Sequence, residues 1–240
     1  MYLLPSFKME VAQLKYNLQH LNLVQQIQFL SEKFKDKIVF STSFGLEDQV
    51  ITHLIFSNNI PIRVFTLETG RLFPETYYVW NRTLEIYNRP IHAYYPQTVA
   101  VQEMVNLKGP NSFYESVENR KECCYIRKIE PLKRALVGNE IWITGIRAEQ
   151  SVNRDDMENL EWDEGNQLIK FHPIFNWNLE EVRSYIKNNN IVYNTLHDKG
   201  FPSIGCAPCT RAVQPGEDFR AGRWWWEDQS KKECGLHEVK

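Results

Sequence analysis

The chain has 240 residues, 42% of them hydrophobic and 24% charged, and its 28 Lys and Arg against 30 Asp and Glu leave a net charge of −2. This is the composition of an average soluble globular protein with room for a core, which argues against disordered, collagen-like and strongly basic nucleic-acid-binding classes. Apolar runs such as 50–56 fall far short of the roughly 20 residues that cross a bilayer. Lys8 and Glu10 interrupt any secretion-signal pattern, so we expect a cytoplasmic protein.

Hydrophobic spacing in the N-terminal half predicts helices that alternate with strands. Apolar residues recur three or four apart from Leu14 to Phe34, which predicts one amphipathic helix. Short strands are predicted at 37–40 and 61–67, where β-branched and aromatic residues gather. Each strand is followed by a polar turn and a helix, the first over 48–56 and the second from Pro74 to about Tyr87.

The alternation continues in the second half. We predict a strand at 91–95, a loop-rich stretch to Arg120, a helix over 121–137, strands over 140–144 and 168–171, and a helix over 179–188 capped by Asn178. Everything from Asn189 onward has the composition of loops. Strands that alternate with helices predict an α/β fold with an open, mainly parallel sheet covered by helices on both faces, and ligands bind outside the carboxyl ends of such strands.

Three polar segments follow predicted strands. Hydroxyls and a glycine in Ser41-Thr-Ser-Phe-Gly-Leu-Glu-Asp48 precede a helix, so they suit an anion or serve simply as a helix cap. The lysine of a Walker loop is missing, which favours one α-phosphate over a triphosphate. Glu68-Thr-Gly70 ends the next strand. Later, Arg147 and Arg154 bring two guanidinium groups to the same edge, where they suit phosphate or sulfate oxygens.

The cysteines form two pairs and a single residue: Cys123 with Cys124, Cys206 with Cys209, and Cys234 alone. Four thiolates fit a tetrahedral zinc ion or an iron–sulfur cluster. Adjacent cysteines favour a cuboidal cluster, which offers separate iron corners, while the number of ligands leaves zinc open. Two lysines and a histidine beside Cys234 favour its thiolate, the reactive form.

An arginine- and tryptophan-rich segment, Arg220-Ala-Gly-Arg-Trp-Trp-Trp226, lies near the C-terminus. Aromatic rings and arginines together are typical of single-stranded nucleic-acid sites. A net charge of −2 argues against a broad polyanion surface. A single small nucleotide would satisfy the same residues.

Taken together, these segments resemble the assimilatory adenylyl-sulfate reductases, the iron–sulfur branch of the adenylyl- and phosphoadenylyl-sulfate reductase family. The matching pieces lie in family order over about residues 37–237, at 41–48, 67–76, 123–132, 145–154, 203–211, 222–227 and 232–237. One departure is Glu68, which stands where the family usually has Asp.

The resemblance implies an adenine-nucleotide α-hydrolase-like fold and the reduction of adenosine 5'-phosphosulfate (APS) to sulfite and AMP, with thioredoxin as reductant. It implies a [4Fe-4S] cluster on Cys123, Cys124, Cys206 and Cys209, and Cys234 as the nucleophile that becomes a thiosulfonate. The substrate-binding residues that it implies are Ser41, Ser43, Phe44, Gly45, Glu47, Asp48, Thr69, Gly70, Lys128, Arg154, Arg220, Arg223 and His237.

We therefore expect an N-terminal helical segment (1–36), a nucleotide-binding α/β domain with the cluster site (37–215) and a C-terminal catalytic tail (216–240). The resemblance places such a protein in assimilatory sulfate reduction and cysteine biosynthesis, as a cytoplasmic homo-oligomer that binds neither nucleic acid nor membrane. Two alternatives stay open. One is a reductase of the 3'-phosphorylated substrate or of both substrates, and the other is a zinc-stapled nucleotide-binding module in which Cys234 is incidental.

Overall fold

The computed structural model describes residues 4–150 and 157–227. The described strands are β1 (Ile38–Ser41), β2 (Arg63–Leu67), β3 (His92–Tyr94), β4 (Ile141–Ile143), β5 (Leu160–Asp163) and β6 (Leu168–Phe171). They form one sheet in the order β3-β2-β1-β4-β6-β5. β1 pairs in parallel with β2 and β4, β4 pairs in parallel with β6, and β5 lies antiparallel to β6 at the edge. The predicted open and mainly parallel sheet is confirmed.

The described helices are α1 (Leu4–Leu18), α2 (Leu23–Lys33), α3 (Leu46–Ser57), α4 (Pro74–Tyr87), α5 (Thr98–Lys108), α6 (Val117–Cys124), α7 (Glu130–Leu136) and α8 (Leu179–Asn188). The predictions for α3, α4 and α8 are confirmed. Asn178 caps α8 through a capping box, in which its side chain accepts the N–H of Glu181 and the Glu181 carboxylate accepts the N–H of Asn178. No described helix combines the length and apolar composition that a membrane span requires.

The single helix predicted from Leu14 to Phe34 is wrong, because the chain breaks between α1 and α2. Asn22 begins α2 with a second capping box, since its side chain accepts the N–H of Gln25 and the Gln25 amide accepts the N–H of Asn22. Apolar residues continue at helical spacing across the break. The periodicity therefore hid a helix start that the Asn cap marks.

Three further predictions need correction. The stretch before Arg120 is not loop-rich, because it contains α5, a 3₁₀ turn at Ser112–Tyr114 and the start of α6. α5 buries only Met104 among its side chains, so it lacks a strong apolar stripe. The helix predicted over 121–137 is divided by a π-helical turn at Tyr125–Ile129. β5 was not predicted, since a strand of four residues gives little alternation to detect.

The chain divides into two compact units. The first unit comprises the described parts of Met1–Phe65, Arg82–His92 and Leu136–Tyr193, and the second comprises those of Thr66–Asn81, Ala93–Ala135 and Asn194–Lys240. Strand residues contribute to the core of the first unit, where Val39, Phe40, Ile141, Ile143 and Phe171 are inaccessible to solvent. The second unit buries four cysteines together with aromatic side chains.

Replacement of Asn178 by Ala should lower the free energy of unfolding by about 1 kcal/mol, because the first turn of α8 loses its side-chain acceptor. Equilibrium urea denaturation at pH 7 measures the change. Asn178→Ser is the matched control, since a serine hydroxyl caps about as well as asparagine and should keep most of the stability. Equal losses in both variants would show that the cap is not the source of the effect.

Candidate functional site

The turn after β1 forms a compact loop at residues 41–45, here called the anion loop. Phe44 is buried and adopts a left-handed backbone conformation with φ of 62°, and its N–H donates to Thr42 Oγ1 at 3.1 Å. Gly45 occupies the N-cap position of α3 and offers no side-chain hydrogen bond. Gly45 thus supplies no side-chain acceptor to the first N–H groups of α3, an arrangement found at anion-binding helix starts.

The buried Asp48 carboxylate stabilises the anion loop through two hydrogen bonds from Ser43. Its Oδ2 accepts the backbone N–H of Ser43 at 2.5 Å and the Ser43 hydroxyl at 2.7 Å. Burial raises the pKa of Asp48 to about 6, although the two hydrogen bonds from Ser43 lower it, and the charge of Glu47 adds to the rise. A Cβ at position 145 would overlap Asp48 Oδ1 and lie 3.1 Å from Glu47 Cβ, so only glycine fits there.

Arg147 is buried with 1% of its side chain exposed. Its Nε donates to Glu47 Oε1 at 2.8 Å, and its Nη1 donates to Glu149 Oε2 at 2.7 Å. The sequence analysis expected the Arg147 guanidinium to suit phosphate or sulfate oxygens. In the structure this group instead links the start of α3 to the segment after β4. Glu47 and Asp48 thus shape the anion loop through contacts within the protein.

In the second unit, the segment after β2 makes a tight turn. Gly70 has a φ of 71°, and its N–H donates to Glu68 Oε1 at 2.7 Å. The same oxygen accepts the Tyr77 hydroxyl at 2.9 Å. The longer glutamate therefore closes the turn at the position where the family usually has Asp. The Thr69 hydroxyl oxygen lies 3.4 Å from Cys206 Sγ, and the Thr69 carbonyl accepts a hydrogen bond from Arg127 Nη1 at 2.6 Å.

Four cysteines meet in the second unit and form what we call the thiol cluster: Cys123, Cys124, Cys206 and Cys209. All four are free thiols, each at most 9% exposed, and they pack with Met104, Phe113 and Trp224. The two sequence pairs, one before the π turn and one in the C-terminal part, are therefore neighbours in the fold. Within the described ranges, no three His, Cys, Asp or Glu side chains form a group suited to a metal ion.

The thiols differ in electrostatic environment. Burial raises the pKa of Cys123, and burial together with the charge of Cys206 raises that of Cys209 to about 12. Burial also acts to raise the pKa of Cys206, but neighbouring groups outweigh it and hold the pKa below its usual value. Those groups are Lys128, the Thr69 hydroxyl, Arg223 and Arg127. Positive charge is thus concentrated around Cys206, as a site for sulfur ligands with negative charge requires.

The π turn at Tyr125–Ile129 carries two of these cations, Arg127 and Lys128. A π turn contains an extra residue, so it rotates the side chains that follow it relative to a regular helix. Cys123 and Cys124, just before the turn, and Arg127, within it, are all buried. Regular helical periodicity could not predict this turn, whereas adjacent cysteines followed by two basic residues were a usable signal.

Arg223 and Arg220, the two arginines of the arginine- and tryptophan-rich segment, have different surroundings. Arg223 stacks on Trp224 with its guanidinium carbon 4.7 Å from the ring centre, and a Cβ at Gly205 would overlap its guanidinium group. The Nε of Arg220 is buried and has no hydrogen-bond partner among the described residues. A buried N–H without an acceptor is costly, so Arg220 is suited to an anionic ligand.

The sequence analysis did not predict the buried ion pair between Arg120 and Glu227. Arg120 donates to both carboxylate oxygens of Glu227 at 3.0 and 2.9 Å, and their side chains are 0% and 4% exposed. Arg120 also lies over the Trp224 ring at 4.7 Å and interacts with Cys124. No local pattern could reveal it, because the partners are far apart in the sequence.

The sequence-predicted site residues thus fall into three groups. Ser41, Ser43, Phe44, Gly45, Glu47 and Asp48 lie in the first unit, while Thr69, Gly70, Lys128, Arg220, Arg223 and the thiol cluster lie in the second. Arg154, Cys234 and His237 lie outside the described residues.

Comparisons with known proteins give consistent matches. The sequence pattern of the phosphoadenosine phosphosulfate reductase domain matches residues 37–212. A protein of Allochromatium vinosum named adenosine 5'-phosphosulfate reductase is 49% identical over 88% of this chain and 83% of its own length. A protein of Burkholderia cepacia with the same name is 50% identical over 84% of this chain and 81% of its own length.

Solved structures share the architecture. A phosphoadenylyl-sulfate (PAPS) reductase from Candida auris, in a phosphate complex, superposes with a TM-score of 0.71 at 28% identity, covering 85% of this chain and 96% of that chain. An FMN adenylyltransferase from Candida glabrata, in complex with FMN and an ATP analogue, gives a TM-score of 0.51 at 15% identity, covering 93% of this chain and 86% of that chain. The second likeness concerns the fold alone.

Replacement of Asp48 by Asn should change how stability depends on pH. The pKa of Asp48 is about 6 in the folded protein, above its unfolded value of 3.8, so the fold favours the protonated carboxyl. This stabilisation is complete below the unfolded pKa and is lost as the pH rises through 6. From pH 4 to pH 7, the wild type should lose about 2 kcal/mol of unfolding free energy relative to Asp48→Asn.

Urea denaturation at several pH values measures this difference, with Asp163→Asn as a control of opposite sign. Burial acts to raise the pKa of Asp163, but Lys170 and Asn166 outweigh it and lower the pKa. The contribution of Asp163 is therefore present above its unfolded pKa and lost as the pH falls through the folded one. A constant difference between wild type and Asp48→Asn from pH 4 to 7 would contradict the assignment.

Proposed function

The chain belongs to the phosphoadenosine phosphosulfate reductase family, and from that premise we propose that it reduces adenosine 5'-phosphosulfate to sulfite and AMP. The resemblance seen in the motifs, the oxidoreductase class and the fold are confirmed. The names of the curated relatives support APS as substrate. The observation that carries the proposal is the thiol cluster, four free buried cysteines that lie among cations in the second unit.

We propose that the thiol cluster holds a [4Fe-4S] cluster through Cys123, Cys124, Cys206 and Cys209. The donor set fits, because iron–sulfur clusters are ligated by cysteine thiolates and the surroundings of Cys206 favour the thiolate. A zinc ion would instead need four sulfurs at about 2.3 Å from one point, and metal analysis distinguishes the two groups. When bound, the iron–sulfur group supplies a fixed centre that joins the four thiolates.

The anion loop is proposed to bind the phosphate of the nucleotide. Ser41, Ser43 and Gly45 lie between the end of β1 and the start of α3, where backbone N–H groups and the helix dipole favour an anion. Phe44 is buried and adopts the left-handed backbone conformation within the loop, while Glu47 and Asp48 support the loop through Arg147 and Ser43. Thr69 and Gly70 are proposed to contact the nucleotide from the turn after β2.

The phosphosulfate carries anionic oxygens that repel an attacking thiolate, so cations must neutralise them first. We propose that Lys128, Arg220 and Arg223 do this, together with Arg154, and that His237 contacts the substrate. Arg220 supports this role most directly, since its buried Nε has no partner among the described residues.

The reduction is then proposed to proceed through Cys234 in the tail of residues 216–240. The Cys234 thiolate attacks the sulfuryl sulfur, a sulfur–sulfur bond forms, and the bond from sulfur to the phosphate oxygen breaks. AMP leaves with that electron pair. The product on the enzyme is a Cys234 thiosulfonate.

Thioredoxin is the proposed electron donor. One of its thiolates attacks Cys234 Sγ and releases sulfite with the electron pair of the sulfur–sulfur bond, which leaves a mixed disulfide. Its second thiol then displaces Cys234, so the thioredoxin dithiol supplies both electrons as it becomes a disulfide. We further propose a cytoplasmic homo-oligomer that acts in assimilatory sulfate reduction for cysteine biosynthesis.

A second candidate substrate is the 3'-phosphorylated nucleotide. The superposition with a phosphoadenylyl-sulfate reductase favours it, although that relationship is more distant than the relationship to the curated relatives. Competition between the two nucleotides in one assay separates the candidates, because the preferred substrate has the higher kcat/KM.

Substitution of Cys234 by Ser should abolish both turnover and covalent labelling, because serine supplies no thiolate. Anaerobic enzyme is incubated with APS in the absence of thioredoxin, and mass spectrometry of the peptides locates the added SO₃ group. Ser230→Ala, in the same tail, is the control and should keep both turnover and covalent labelling. Accumulation of sulfite while Cys234 remains unmodified would falsify the proposed mechanism.

A further inference from the structure

Four side chains of the first unit form a line across one face of the sheet, from β5 to the anion loop. They are those of Asp163, Lys170, Trp142 and Ser41. Trp142 on β4 pairs with Lys170 on β6 and with Val39 on β1. Ser41 lies two residues beyond Val39, and Asp163 lies two residues beyond the partner of Lys170 on β5. Residues two apart on a strand share a face, so the register aligns all four.

The contacts along this line are short and buried. Lys170 Nζ lies 2.8 Å from Asp163 Oδ2 and 5.3 Å from the centre of the Trp142 ring. Trp142 Nε1–H donates to Ser41 Oγ at 2.8 Å. Trp142 is 1% exposed and Lys170 is 5% exposed, so neither group has ready access to water. The cation over the ring face, itself held by Asp163, fixes the indole in place.

The hydrogen bond from Trp142 decides what the Ser41 hydroxyl can do. A hydroxyl carries one hydrogen and two acceptor lone pairs. In Ser41 one lone pair accepts the indole N–H, so the hydrogen must point elsewhere. In Ser43 the hydroxyl hydrogen is already directed to Asp48. Across the described parts of the chain, the Ser41 hydrogen meets no protein acceptor, so it is left for a ligand in the anion loop.

We infer that Trp142 is a positioning residue for nucleotide binding: its indole N–H orients the Ser41 hydroxyl so that this hydroxyl donates to an anionic oxygen of the ligand. The Asp163–Lys170 pair keeps the indole in register. The inference rests on the proposed function, because it requires the anion loop to bind the phosphate of an adenine nucleotide.

A double-mutant cycle on AMP binding tests the inference. Isothermal titration calorimetry of the anaerobic holoenzyme gives the AMP dissociation constant for wild type, Trp142→Phe, Ser41→Ala and the double variant. Phenylalanine keeps an aromatic ring and removes the N–H. Each single substitution should weaken AMP binding about 3- to 10-fold, the range for one hydrogen bond. The double variant should be no weaker than Ser41→Ala alone.

Trp162→Phe is the matched control. Trp162 pairs with Ile169, the neighbour of Lys170, so it lies on the opposite face of the sheet. Its substitution should leave AMP binding unchanged. Thermal unfolding of every variant separates lost binding from lost folding.

A second measurement needs no substitution of the tryptophan. The indole N–H resonance of Trp142 should shift on addition of AMP in the wild type, and this shift should be absent in Ser41→Ala. Multiplicative losses in the double-mutant cycle, or an AMP-induced shift that persists without Ser41, would overturn the inference and leave the proposed function standing. Failure of the wild type to bind AMP would overturn both.

Discussion

Burial of four thiols beside fixed positive charge is the constraint on which the second unit depends. An ionised sulfur in an apolar cluster is costly unless cations or a metal compensate its charge. Arg127 and Lys128 approach from the π turn, and Arg223 approaches where Gly205 leaves room for its guanidinium. The buried Arg120–Glu227 pair adds a further cation beside Cys124. The irregular backbone of this unit brings those charges to the sulfur atoms.

The regular part of the fold could be predicted because its signals are local. The strand before the anion loop, the helix after that loop and the cap at Asn178 each follow from residues within a few positions. The break before Asn22 and the π turn could not be predicted from apolar spacing, since helical spacing continues across both. α5 and β5 were missed because one has a weak apolar stripe and the other is very short.

For the candidate site, the sequence predicted which residue types come together, but it did not predict which partners each side chain contacts. The sequence predicted that the two cysteine pairs belong together, and the fold places them in one cluster. It could not predict that Arg147 is used to hold Glu47, or that Trp142 reaches Ser41, because these contacts depend on strand register. Charged residues of a motif therefore divide into those proposed to contact the ligand and those that shape the loop. Only the fold distinguishes the two groups.

Analysis of iron, inorganic sulfide and zinc in the anaerobically purified protein tests the central claim most directly. We expect four iron atoms and four sulfides per chain, the content of one [4Fe-4S] cluster, with little zinc. Cys206→Ser should lower both iron and sulfide, because it removes one of the four ligands. One zinc ion per chain without inorganic sulfide would contradict the account and would favour a zinc-stapled binding module.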